Sequence, residues 1–225
     1  VWTVLIQDVG DSVFTSTLTQ GEDGTIWLLV PDGLWRISAD LRERVAVLKS
    51  EVNSRLMSFC LDTSEDLWLV EKTGVLSSRL VHIPIVDGVP AARTEWREFA
   101  VPFENNRDDA AILSDGEGFL WYVDRSLAGS SVPVFDLKRT QWVERTSGGG
   151  FRGFSLLKNE NGTIWAGGEG QILSVSHDSE DLLYTDELLG LPSVPLSFYK
   201  AGNDRVWVIG RIGYVYSVDL GSREW

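Results

Sequence analysis

The sequence predicts an all-β fold, a five-bladed β-propeller of four-stranded antiparallel blades, as a single domain over residues 1–225. Two observations carry that reading. Five tryptophans, Trp27, Trp68, Trp121, Trp165 and Trp207, recur at spacings of 41, 53, 44 and 42 residues. Each follows an aliphatic residue (Ile26, Leu67, Leu120, Ile164, Val206), and nine positions before each stands Leu18, Phe59, Ile112, Leu156 or Phe198. The shared phase marks a structural repeat of propeller length. Between these points, short apolar runs alternate with clusters of Gly, Asp, Asn and Ser, the pattern of short strands joined by tight turns.

The fourth repeat shows the elements in order. Strand A falls near Phe154–Lys158, a turn at Asn159–Gly162, strand B at Thr163–Gly167, a turn at Gly168–Gly170, strand C at Ile172–His177 and strand D near Leu182–Asp186. Four strands in about 45 residues make one propeller blade. The other repeats fit this template, with one exception between the second and third Trp. There the surplus falls in Val81–Arg93, whose two prolines and Gly read as a loop inserted between strands C and D. Such a loop leaves the packed sheet, and lengthening it costs only logarithmically in closure entropy.

Composition bounds the function. With 225 residues, 10 Trp and 11% aromatics, the chain can fill one large core of packed sheets. It shows no transmembrane run and opens on the strand-like VWTVLI rather than a leader, so no membrane insertion is expected. Cys60, the single cysteine, lies in the apolar run LMSFCLD and reads as a small buried hydrophobe. A net charge of −13 repels phosphate backbones and anionic lipid, so nucleic acid is not an expected partner.

A family resemblance rests on the last repeat. Leu191-Pro192-Ser193, the acidic turn Asn203-Asp204, the pair Val206-Trp207, then Ile209-Gly210 and Gly213 resemble the repeat of the two-component regulator propeller family, which runs roughly "GLPS…V…D.DG.LWIGT..GGL.R". Gly21–Ser38 and Asn159–Ser176 resemble it almost as well; the second repeat lacks the turn Gly, and the third loses the "WIGT" continuation. The resemblance implies an extracytoplasmic, periplasmic or secreted, sensory propeller of a kind that is normally non-enzymatic. Lyases of the streptogramin type share a Trp-centred repeat but act through histidine. This chain owns only His82 and His177, both on or just past strand C and away from a central site.

In a propeller the loops from D to A and the B to C turns surround one mouth of the axial funnel. The template places Asp32, Glu71, Lys72, Asp124, Arg125, Glu169 and Arg211 on B to C turns, and Arg55, Arg107 and Arg152 among the D to A loops. Arg55, Lys72, Arg107, Arg125, Arg152, Glu169 and Arg211 are therefore the candidate binding residues, since arginine's planar fork holds carboxylates and planar polar groups. These contact positions diverge between repeats, which favours one asymmetric site for a small polar ligand or a protein partner over one pocket per blade. The opposite A to B turns read GEDGT, DTSED, DGEG, NENGT and GNDR. Their acids suit hairpin turns better than a calcium site, which needs six or more converging oxygens. No metal, cofactor or catalytic residue is expected. A hydrolase or lyase in the funnel is the alternative, and clustered histidines or paired carboxylates at the mouth would favour it.

Two structural expectations follow. The five repeat tryptophans, sharing one phase, should all be buried between blades. Gly221–Trp225 begins like a strand D and stops, and Val1–Ile6 resembles a strand D without a blade, so the ring should seal between the termini.

Overall fold

The computed structural model describes residues 17–21, 23–30, 33–40, 43–49, 55–103, 110–124, 129–151, 153–158, 162–168, 171–175, 180–185, 195–200, 205–210 and 215–219. They divide into two compact units, Val1–Pro102 and Phe103–Trp225. Every described element except one short 3-10 turn is a strand.

In the first unit, β1 (Thr17–Gln20), β2 (Ile26–Val30), β3 (Gly33–Ile37) and β4 (Arg44–Lys49) form a four-stranded meander in chain order. The second sheet takes β5 (Arg55–Leu61), β6 (Leu67–Lys72), β7 (Ser78–Ile83) and β10 (Arg97–Ala100), with β8 (Ile85–Val86) and β9 (Val89–Pro90) set aside as a separate hairpin. In the second unit, β11 (Ala110–Ser114), β12 (Phe119–Asp124), β13 (Gly129–Asp136) and β14 (Gln141–Phe151) form the third sheet, and β15 (Gly153–Lys158), β16 (Ile164–Gly168), β17 (Gln171–Val175) and β18 (Glu180–Thr185) the fourth. A fifth sheet has three strands among the described residues, β19 (Pro195–Lys200), β20 (Arg205–Gly210) and β21 (Val215–Asp219). All pairings within these sheets are antiparallel. The A to D template therefore matches β15 to β18 to within about two residues at each end, the usual scatter of element boundaries. Gly221–Trp225 and Val1–Ile6, the segments expected to seal the ring, lie outside the described residues.

The insertion in the second repeat differs from the expected loop. Ile85–Val86 and Val89–Pro90 pair as a hairpin, and Arg93–Glu95 forms a 3-10 turn before β10. Asp87 and Gly88 both take positive φ, 52° and 73°, as a two-residue type I′ turn requires. Asp-Gly is the dipeptide that meets this demand, so the signal was present in the sequence but masked by the flanking prolines. Pro84 lies outside both strands and Pro90 is the last residue of the second, after which Ala91 donates its N–H to the Pro84 carbonyl at 2.8 Å.

Tight A to B turns close on their own acids. In the first sheet, Thr25 donates its backbone N–H and its hydroxyl to Asp23, at 2.8 and 2.7 Å. Side-chain and backbone hydrogen bonds from Thr25 hold the exposed Asp23 carboxyl below its usual range, outweighing a slight desolvation, with Arg36 adding its charge. A carboxylate whose folded-state value is depressed stabilises the fold above its unfolded value and loses that contribution as pH falls through the folded one. Asp23→Asn is therefore expected to lower stability at neutral pH and to flatten the loss of stability below about pH 3.8, read as urea midpoints over an acid series.

The cores lie between successive sheets. Trp27, Leu29 and Leu34 of the first sheet cluster with Leu56, Phe59, Leu67, Leu69, Val81 and Ile83 of the second. In the second unit, Trp121, Val123, Val132 and Val134 cluster with Ile164, Ala166 and Leu173, with Leu156 packed against them. Cys60 is buried, as its apolar run implies. Four of the five repeat tryptophans are buried, but Trp207 is 46% exposed, which corrects the expectation for the fifth. Its phase is the same as the others'.

Candidate functional site

The second sheet presents two ends with different chemistry. At one end Arg55 on β5 stands directly opposite Lys72 on β6, so the register brings these two predicted binding residues together. The β6 to β7 turn at the same end carries Val75, 82% exposed, and Leu76, also exposed. Thr73 and Gly74 donate their N–H groups to the Ser77 carbonyl, which holds that tip in place. The result is a small apolar tip beside two cationic side chains. Arg107, Arg125, Arg152, Glu169 and Arg211, the other predicted binding residues, lie outside the described residues.

Two acids expected at the mouth are buried instead. Glu71 is the last buried position of β6, and Arg79, its cross-strand partner on β7, donates to it at 2.6 Å. Arg79 also reaches Glu98 on β10 at 2.8 Å. Burial works against the Arg79 charge, but the hydrogen bond and charge of Glu71, backed by Glu98, outweigh it and raise its pKa above the usual value. In the third sheet, Asp124 is the buried end of β12 and accepts from the Tyr122 hydroxyl at 2.8 Å. Both strands run further than the turn residues suggested, carrying these acids into the sheet. Sequence reasoning missed Arg79, whose pairing with Glu71 becomes readable only once the β6–β7 register is known.

Beside Glu71 an apolar recess opens between Leu48, Leu56, Leu69 and Val81, with Arg93 stacked 4.6 Å over the Trp96 ring at its rim. It has room for about one water molecule, too little for an organic ligand.

At the other end of the sheet, Asp62, Asp66 and His82 bring donor atoms within 4.8 Å of one another, the one such group among the described residues. They could hold a divalent cation, yet each carboxylate already has structural work. Asp66 accepts from the Ile85 N–H at 2.9 Å, pinning the inserted hairpin, and its other oxygen meets His82 Nε2 at 2.9 Å. His82 in turn stacks on Trp68 with ring centroids 4.5 Å apart.

Asp62 takes part in a device that recurs. Its Oδ1 accepts from the N–H groups of Ser64 and Asp66, and its Oδ2 from the Trp68 indole at 2.9 Å. In the third sheet Asp115 accepts from Glu117 and Phe119 and from the Trp121 indole at 3.0 Å, the same offsets of two, four and six residues. One carboxylate thus closes the A to B turn and fixes the blade's tryptophan. The signal was an Asp six residues before Trp in the second and third repeats. Gly21 takes that place in the first.

The antiparallel sheets of this chain match solved structures. A streptogramin B lyase matches 89% of this chain with a TM-score of 0.65 at 13% identity. The chain folds as a β-propeller. A puromycin-hydrolyzing peptidase from Mycobacterium tuberculosis matches 92% of this propeller (TM-score 0.64, 14% identity), and the Pan2 WD40 domain of Neurospora crassa 94% (0.62, 12%). The propeller spans 66%, 36% and 64% of those three chains, respectively. At such identities the likeness concerns fold alone. No family model matches, and no curated protein does.

Proposed function

We propose that this propeller is a non-catalytic interaction domain that recognises a protein partner through the loop edge bearing Arg55 and Lys72. The observation that carries the reading is the exposed Val75-Leu76 tip beside those two cations. Apolar side chains held on a hydrogen-bonded turn cost little entropy to dock, and flanking cations select an acidic, partly apolar surface. The described acids that a hydrolase or lyase would draw on are engaged elsewhere: Glu71 with Arg79, Asp124 with Tyr122, and Asp62 and Asp115 with indoles. The solved propellers it resembles include a lyase, a peptidase and a WD40 domain, so the fold itself favours neither class. Arg107, Arg125, Arg152, Glu169 and Arg211 are kept as proposed binding residues on the strength of their repeat positions alone. The fifth sheet is read as the fifth blade of one propeller. An extracytoplasmic, sensory setting rests on the resemblance of the repeat and is checked by fractionating cells that carry the native gene.

A photoreactive phenylalanine analogue placed at Val75 tests the recognition edge in extract of the native organism. The expected result is a discrete protein adduct that Arg55→Glu with Lys72→Glu removes, and that the same probe at Ser64, in the opposite turn, does not form. An adduct formed equally from Ser64, or insensitive to the charge reversal, overturns the assignment.

A further inference from the structure

Asp-Gly is the dipeptide in which a backbone nitrogen can most readily attack the preceding carboxyl, because glycine has no Cβ to shield it. Four such pairs occur in the sequence, at Asp23, Asp32, Asp87 and Asp115. Asp32 lies outside the described residues, and the other three are held very differently. Asp23 accepts from the Thr25 N–H and hydroxyl. Asp115 is 2% exposed and accepts from the Glu117 and Phe119 N–H groups and the Trp121 indole. Those bonds must break before either carboxyl can turn to its own glycine. Asp87 is exposed at the tip of the β8–β9 hairpin, and among the described residues no hydrogen bond or ion pair engages its carboxylate.

The backbone separates the three further. Asp87 alone of them has positive φ, 52°. The two hairpin turns of this length, types I′ and II′, share positive φ at the first central residue and differ by a flip of the peptide joining the two central residues. In this chain the flip would carry Gly88 φ from 73° to about −80° and Asp87 ψ to about −120°. Glycine accepts either sign of φ. A five-membered ring closed from Asp87 Cγ onto Gly88 N holds that nitrogen in the plane of the Cα–Cβ bond, which in an L residue also sets ψ to about −120°. The closed ring is therefore a type II′ turn, and the strands on either side stay paired while it forms.

We infer that Asp87-Gly88 is a site of spontaneous covalent modification, through a succinimide to isoaspartate. Gly88 N bonds to Asp87 Cγ, the carboxyl C–OH bond breaks, and water leaves with the amide proton. Water then adds to the Asp87 main-chain carbonyl and breaks its bond to Gly88 N, so the chain continues through Cβ and Cγ and the former main-chain carboxyl becomes the free carboxylate. No other reagent is consumed. The root of the hairpin is tied by the Ala91 N–H to the Pro84 carbonyl and by the Ile85 N–H to Asp66, which confines the change to the tip. There Gly88 lies against Arg36, so close that a Cβ on it would stand 3.0 Å from Nη2, and the lengthened loop alters that contact.

Ageing the purified chain for weeks at neutral pH, folded and in urea, tests this. Trypsin releases residues 80–93 as a peptide whose one acidic residue is Asp87 and which contains no Asn. Electron-transfer fragmentation then distinguishes isoaspartate from aspartate at each position without a change in mass. In urea the three pairs share one local chemistry and should react at similar rates. In the folded chain Asp87 should stay near its urea rate while Asp23 and Asp115 slow severalfold. Asp87→Asn keeps the turn, since Asn-Gly also suits type I′, and expels ammonia in place of water, so the same isoaspartate should appear severalfold faster. Equal folded rates at the three sites, whether all slowed or all unchanged, overturn the inference. So does a folded Asp87→Asn chain that yields no isoaspartate in residues 80–93, because the turn then holds its peptide unflipped.

Discussion

Trp121→Ala is expected to be the most damaging single substitution in the described core, lowering stability by about 3–5 kcal/mol. The indole is 1% exposed, packs among Val123, Val132, Val134 and Ile164, and donates to Asp115. Truncation leaves a cavity that a sheet with fixed register cannot collapse into, and it strips a buried carboxylate oxygen of a donor. For a chain of this length the melting midpoint should fall by about 10 °C. Trp207→Ala supplies the contrast. At 46% exposure it should cost about 1 kcal/mol or less. Equal losses for the two variants would mean that Trp207 is covered in solution.

The second large effect is expected from Arg79→Ala. Glu71 is buried, and the Arg79 guanidinium 2.6 Å away neutralises it. Removing one member of a buried pair costs about 3–5 kcal/mol, because the remaining charge stays desolvated without a partner. The contact with Glu98 adds little, since Glu98 is 44% exposed and that pair is screened by solvent. The double variant Glu71→Met with Arg79→Met removes both charges and should recover most of the loss, to within about 1 kcal/mol of the parent. Chemical denaturation of the two singles and the double completes the cycle. A double variant as unstable as Arg79→Ala would show that the side chains matter through their packing and not through their charge.

The strand plan was legible because it depends on local chemistry. Alternation and turn residues located β15 to β18, and the Trp phase located four buried indoles. What escaped depends on neighbours. Trp207 carries the same local signal as Trp121, and its exposure is decided by whether another sheet lies over it. Glu71 and Asp124 read as turn acids because their strands end on polar residues; their burial follows from ladders that run on past the apolar run. The inserted hairpin was hidden because proline argues against strand, although Asp87-Gly88 is a strong turn signal. Of the candidate site, the sequence located Arg55 and Lys72 at one end of a sheet. It could not show Val75 and Leu76 as an exposed tip, because apolar residues in a short turn read equally well as the start of the next strand.

The latch between Asp62 and Trp68, repeated by Asp115 and Trp121, bears on how the protein leaves the ribosome. Each latch closes over six residues, so a hairpin and the orientation of its indole are set within one emerging segment before any later blade has been synthesised. Contacts of such short sequence separation form early. Blades with the carboxylate therefore enter co-translational folding with their register chosen. The first blade has Gly21 at that position, and its Trp27 packs against Phe59 and Leu67 of the second sheet, residues that emerge later.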